Sequence, residues 1–268
     1  MTSSSPWSRR LLAAVGIFGL VFLGVPILIV IPMSFSSAKA LTFPPPGLSL
    51  RWYEAFFGDP RWMEAMWTST GVAAVSSLLA LVLGGLAAYG LRRGSFAGRG
   101  WAEGNFMAPL IVPAIIVAIA LYLGLAKVGL LGSLLGLVVA HTLLNVPLVM
   151  MVMGVAIREL DPRIEQVAWS LGASWGYTVR KVMLPNLAPS VFAAWIFAFI
   201  GSFDEVVVTS FIAGKYETVP KKMFNELVLE VNPTITAVAT LLIGITVLAL
   251  AAVTLILARA GKLRQTIV

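Results

Sequence analysis

The chain has 268 residues, of which 59% are hydrophobic and only 12% charged, with mean hydropathy +0.94 and formal charge +7. A soluble domain of this length carries about twice that charged fraction, so the composition defines an integral protein of the lipid bilayer. There is no cysteine and one histidine, which excludes disulfides, thiolate metal centres and any multi-histidine metal site within the chain. Excess positive charge invites a nucleic-acid partner. The basic residues instead sit at the ends of apolar runs, where they report topology, so no nucleic acid is expected.

The first apolar segment, 11–33, follows Arg9-Arg10, carries no charge and exceeds a typical signal-peptide core. Ala38-Lys39-Ala40 resembles a cleavage site, which makes a removable leader the alternative. The loop after it holds Pro44-Pro45-Pro46 and then Trp52, Tyr53, Phe56, Phe57 and Trp62. Such rings predict a short helix at the membrane interface, with contact to an external partner as the alternative. Further spans are expected at 66–91, ending at Arg92-Arg93, and at 106–125, entered through Pro109 and Pro113. The last three are expected at 131–157, 187–212 and 231–258. These six segments predict an all-α polytopic membrane protein, one transmembrane domain over 1–268. Six spans put both termini on one side. Twelve of the 19 Lys and Arg residues then fall on that side and seven on the other. The excess predicts cytoplasmic termini.

Residues 158–186 are the one long polar stretch between spans, and they share the cytoplasmic side. Asp161 is a good N-cap, and Pro162 fits a first helical position. Gly172 can take the left-handed conformation that ends this helix. Ser174 can cap a second helix, and Pro185 discourages its continuation past Leu184. Two short helices folded about a sharp turn predict a docking surface. The stretch resembles the EAA coupling loop of ABC-importer permeases, whose pattern is E-A-A, three residues, G, nine residues, I-x-L-P. Gly172 and Val182-Met183-Leu184-Pro185 fall at the matching places, with Val182 for Ile. Gln166 and Val167 depart from the first two letters, Ala168 matches the third, and Glu165 stands just before.

The resemblance runs along nearly the whole chain, through SLRWYEAFF, the AAYG at Ala87 to Gly90, and Pro109 with Pro113. Ser202-Phe203-Asp204-Glu205 and Asn232-Pro233-Thr234 make it most similar to PotC-type permeases of spermidine/putrescine importers. It implies a type I ABC importer (MetI-like) permease fold in a bacterial inner membrane, working by alternating access. It also implies a second homologous permease subunit, two cytoplasmic ATPase subunits that bind ATP and Mg²⁺, and a periplasmic or extracellular solute-binding protein. The ATPases would meet the loop around Asp161, Glu165, Gln166, Ala168, Gly172, Ala173, Leu184 and Pro185.

Asp204 and Glu205 are the only acidic residues expected within a span, where a carboxylate usually faces a cavity or a partner. Residues on a continuous helix differ by about 100°. On that basis Asp204 joins Phe197, Ile200 and Val208, and Glu205 joins Ala198, Ser202 and Thr209, a more polar face. Glu205 is therefore expected to face the wetter surroundings. Counted from Leu187, Asp204 lies about 25 Å along the axis, in the outer half of the bilayer. Either could admit a cation; a helix-end or structurally paired carboxylate is the plainer reading. Trp195 and Phe203, with Phe192 and Phe199, repeat at helical spacing and can add cation–π contacts to a polyamine path. Packing against lipid or another span is the plainer explanation. His141 and Asn145, four apart, point to an interhelical hydrogen bond, and Gly84-Gly85 to close helix contact.

The only Gly-Lys pairs, Gly214-Lys215 and Gly261-Lys262, are not followed by Ser or Thr, so no Walker A loop is expected. A non-catalytic subunit without a cofactor of its own follows. One alternative is a permease for another small organic solute, such as an amino-acid derivative, an opine or a phosphonate. The other is a secondary transporter using Asp204 or Glu205, although no inverted repeat of broken helices is evident.

Overall fold

A computed structural model describes residues 6–229 and 232–266. In chain order the helices are α1 (Pro6–Ser34), α2 (Arg51–Gly58), α3 (Pro60–Arg93), α4 (Arg99–Ile111), α5 (Ala114–Lys127) and α6 (Leu134–Glu159). They continue as α7 (Arg163–Ser170), α8 (Trp175–Thr178), a π-helical turn (Val179–Met183), α9 (Leu184–Phe203), α10 (Val207–Ile212), α11 (Val219–Leu229) and α12 (Thr234–Thr266). The strand-like pairing among the described residues is a single antiparallel bridge, Ser36 to Leu48. Five of the described helices are long and apolar enough to cross a membrane, or six if the bent pair α4–α5 forms one span. Val231, where the last expected span begins, lies outside the described residues.

Two compact units divide the chain. Met1–Met63 with Asn225–Ile245 form the first. In it, the expected aromatic helix is present as α2. Ser49 N–H donates to the Phe35 carbonyl (2.7 Å) and Ser37 N–H to that of Gly47 (3.0 Å), closing the loop that leads to it. Ser34 and Tyr53 share a hydroxyl hydrogen bond of 2.8 Å. Phe56 and Trp62 are buried with ring centroids 5.6 Å apart, so two of the five rings serve packing.

Glu64–Phe224 with Thr246–Val268 form the second unit, which carries both candidate sites. Its larger core joins α3, α6 and α9 through Ala80, Ala88, Val149, Met153, Ala194 and Ala198. A second core joins α5, α6 and α10 through Ala118, Leu125, Leu137, Val208 and Ile212. The small residues let the backbones approach closely, as helix packing in lipid requires. A Cβ on Gly84 would lie 2.9 Å from the Val146 carbonyl and from Val149, whereas one on Gly85 would meet nothing within 4 Å. Only the first of this Gly pair makes the close contact.

Two expected spans are interrupted. The segment 106–125 contains a 107° bend between α4 and α5. Pro113 is the cause: it drives Val112 out of the helical region, to φ −74° and ψ 135°. The segment 187–212 is broken at 204–206, where α9 ends and α10 restarts. Continuity is found where a stop was expected, because Pro185 does not end a helix. Chain from Trp175 to Phe203 runs on without interruption, and Pro185 occupies the first turn of α9. The π turn absorbs it: Leu184 N–H reaches the Val179 carbonyl, and the widened turn avoids the clash a proline ring makes with an α-helical carbonyl.

Candidate functional site

The polar stretch folds as a knuckle. Asp161 Oδ1 accepts from Arg163 N–H at 2.9 Å and starts α7. At its far end Gly172 sits at φ +83°. Gly172 N–H donates to the Trp169 carbonyl (2.9 Å) and Ala173 N–H to that of Ala168 (3.0 Å). These are the paired bonds of a Schellman motif. Ser174 Oγ then accepts from Tyr177 N–H at 3.3 Å and caps α8. Each cap matches the residue type the local chemistry requires.

The knuckle has distinct inner and outer faces. Glu165 and Ala168 are buried. Glu165 accepts from Arg93 Nε at 2.8 Å and from the Tyr89 hydroxyl at 3.0 Å. Arg93 donates a further bond to the Leu160 carbonyl at 2.8 Å. Thus the end of α3 is clamped to both the start of the knuckle and its first helix. The pair is charge-assisted and nearly dry, the condition under which such bonds are strongest. Gln166 points outward, and so do Val167, Trp169 and Leu171, the last 82% exposed. Both departures from the EAA letters therefore lie on the accessible face, while Ala168, which matches, packs inward. Leu184 and Pro185 are also exposed. Glu165, expected among the docking residues, has its carboxylate consumed within the chain instead.

The expected acidic pair lies at the α9–α10 break, not along a helix. Asp204 is the C-cap of α9, its N–H bonded to the Ile200 carbonyl at 2.9 Å. Glu205 caps α10: its carboxylate accepts from the N–H groups of Val208 (2.9 Å) and Thr209 (2.8 Å). The expectation that Glu205 is the wetter of the two holds only for a continuous helix, and the break at 204–206 reverses their exposure. Asp204 is exposed and Glu205 half-buried with its oxygens occupied. Phe192, Trp195, Phe199 and Phe203 form a ladder with centroid separations of 5.8, 6.3 and 6.1 Å, ending beside Asp204. The Trp195 indole N–H is buried with no hydrogen-bond partner among the described residues.

His141 makes the interhelical hydrogen bonds expected of it, on two sides. It is buried between Ser202 (Nδ1, 2.8 Å) and Thr209 (Nε2, 2.9 Å), on either side of the break. Asn145 does not bond it ring to amide; its Nδ2 donates to the His141 carbonyl at 2.8 Å. The partners, Ser202 and Thr209, are what the sequence does not name. A cleft of about 630 Å³ between α3, α4 and α6 has Asn105 and Thr142 as its polar lining, and neither Asp204 nor Glu205 borders it.

A multi-pass helical chain with a clamped, apolar-faced knuckle and an exposed carboxylate at a broken span has the makings of a membrane permease subunit. The family of inner membrane components of binding-protein-dependent transport systems matches residues 80–262, and the chain belongs to it. It is 34% identical over 248 residues to the putrescine transport system permease protein PotI of Escherichia coli (strain K12), covering 90% of this chain and 86% of that one. To the spermidine/putrescine transport system permease protein PotC of Haemophilus influenzae it is 33% identical over 236 residues, covering 87% and 90%. Its fold matches that of a bacterial ABC transporter involved in import of the acidic polysaccharide alginate, with TM-score 0.69 and 17% identity over 97% of this chain and 99% of that one. The chain is therefore a multi-pass inner-membrane permease subunit with the ABC-importer permease fold.

Proposed function

We propose that this subunit moves polyamines, putrescine and spermidine, inward through an ATP-driven importer. The observation that carries the solute assignment is the exposed Asp204 at the end of an aromatic ladder, in a chain whose relatives are named for putrescine and spermidine. A carboxylate and π faces together suit an elongated organic cation. The full assembly holds a second homologous permease, two ATPase subunits that bind ATP and Mg²⁺, and an external solute-binding protein. The termini and the knuckle are cytoplasmic, as the Lys and Arg asymmetry supports.

Alternating access follows from how the knuckle is tied. An ATPase docked on Val167, Trp169 and Leu171 moves α7; the chain itself carries that displacement to α6 and α9, and the Arg93–Glu165 pair carries it to α3 as well. Nucleotide must favour one of two arrangements for this to drive transport. Asp204 meets the solute where the second permease completes the path. ATP hydrolysis by the reconstituted assembly tests the assignment. Binding protein loaded with putrescine or spermidine should stimulate it several-fold. Stimulation only by an amino-acid derivative, an opine or a phosphonate would keep the importer and discard the polyamine.

A further inference from the structure

Four helices of the second unit meet in one buried chain of hydrogen bonds. Ser76 on α3 and Ser202 on α9 are linked Oγ to Oγ at 2.9 Å. Ser202 Oγ is 2.8 Å from His141 Nδ1, and His141 Nε2 is 2.9 Å from Thr209 Oγ1 on α10. Thr209 Oγ1 in turn lies 3.0 Å from Glu205 Oε2 and 3.1 Å from the Glu205 carbonyl. The side chains of Ser76, His141, Ser202 and Thr209 are all at most 3% exposed.

The direction of every proton in this chain follows from its acidic end. Glu205 Oε1 and Oε2 each accept a backbone N–H, and the Thr209 hydroxyl beside Oε2 donates to it. Its oxygen then accepts a hydrogen bond from His141 Nε2–H. A ring buried between hydroxyls, with no charged group hydrogen-bonded to it, is neutral. A neutral imidazole carries one N–H, which leaves Nδ1 to accept from Ser202, whose oxygen accepts from Ser76.

We infer that His141, as the Nε2–H tautomer, is a positioning residue for the solute path. It ties α6 to both sides of the α9–α10 break, commits Glu205 to capping α10, and so leaves Asp204 as the carboxylate presented to a cationic solute. This rests on the reading of Asp204 given above. Without the ring, Thr209 loses its donor, Ser202 its acceptor, and the break is no longer pinned to α6.

Because the chain has one histidine, ¹⁵N-histidine labelling of the full-length protein in lipid nanodiscs gives one imidazole to read. The expected spectrum has a protonated Nε2 and an unprotonated Nδ1. A protonated Nδ1, alone or with Nε2, would overturn the assignment. Putrescine uptake by the complete importer supplies the second readout. H141L, which removes both ring hydrogen bonds, should raise KM at least about tenfold, while the maximal rate changes less than about twofold. H141Q, which keeps a donor at the Nε2 position, should recover most of it. Should H141L fail to assemble, T209V removes the bridging hydroxyl, keeps the side-chain shape and should raise KM in the same direction. Unmoved KM in T209V or H141L, alongside lost uptake in D204N, would overturn the positioning role while leaving Asp204 in place. Normal uptake in D204N would remove the reading beneath it, and the positioning role with it.

Discussion

Replacing Glu165 by alanine perturbs the knuckle where its connection to the spans is most concentrated. The carboxylate is 2% exposed and bonded at 2.8 Å to Arg93, whose side chain is 18% exposed. Removing one partner of a buried pair costs about 3–5 kcal/mol, mostly because the other charge is stranded. Arg93 keeps its bond to the Leu160 carbonyl and some access to solvent, so the lower figure, about 3 kcal/mol, applies. At about 1.4 kcal/mol per tenfold, the equilibrium constant for keeping α3 engaged with the knuckle falls by more than about a hundredfold. The assay is putrescine imported per ATP hydrolysed, measured on the complete importer in proteoliposomes. E165A should hydrolyse ATP with little import, and E165Q, which can still accept from Arg93 and Tyr89, should lie between E165A and the parent. R93A and E165A should combine with far less than additive effect. A parental import-to-hydrolysis ratio in E165A, or additive single effects, would refute the clamp as the transmitting contact.

Other positions separate backbone from packing effects. Gly172 is left-handed, yet a Cβ there would meet nothing within 4 Å, so G172L strains only the turn, by about 1–2 kcal/mol. G172L should uncouple hydrolysis from uptake and G172N should be far milder; equal behaviour of the two, or intact coupling in G172L, would contradict this. G84A should destabilise the α3–α6 contact whereas G85A, with open space around it, should stabilise the helix by up to about 1 kcal/mol; thermal unfolding of the two variants in detergent gives the comparison. Lys221, on α11, donates to the carbonyls of Gly214 and Tyr216, each at 3.0 Å. Desolvation pushes its ammonium below the usual value, and nearby Glu217 opposes the shift in part. The folded state therefore holds its proton less tightly than the unfolded, so stability should rise with pH through the window just below about 10.4. Acetylation of Lys221 followed by mass spectrometry across that window should show a midpoint below the ordinary one; a midpoint at or above it would contradict the burial argument.

What could be read from the residues was local. Asp161, Gly172 and Ser174 each act through their own backbone, so their caps were legible before any packing was known. The spans were legible because twenty apolar residues in a row have few other fates. Failures arose where tertiary context decides. Pro185 reads as a stop until a π turn makes room for it. Asp204 and Glu205 read as helical neighbours until the chain breaks between α9 and α10, which no periodicity foretells because the apolar run continues on both sides. His141 gained its meaning only when Ser202 and Thr209, distant in sequence, were brought to its two nitrogens. Glu165 was recognised as part of the knuckle, but its inward orientation depends on Arg93, 72 residues earlier.

Uptake of radiolabelled putrescine into proteoliposomes, containing this chain with its partner permease, ATPases and binding protein, addresses the proposed transport directly. Uptake should require ATP inside the vesicle and binding protein outside, persist in a protonophore, and fall at least tenfold in D204N. Polyamine uptake that a protonophore abolishes and that continues without ATP would contradict the ATP-driven importer and favour a cation-coupled carrier instead.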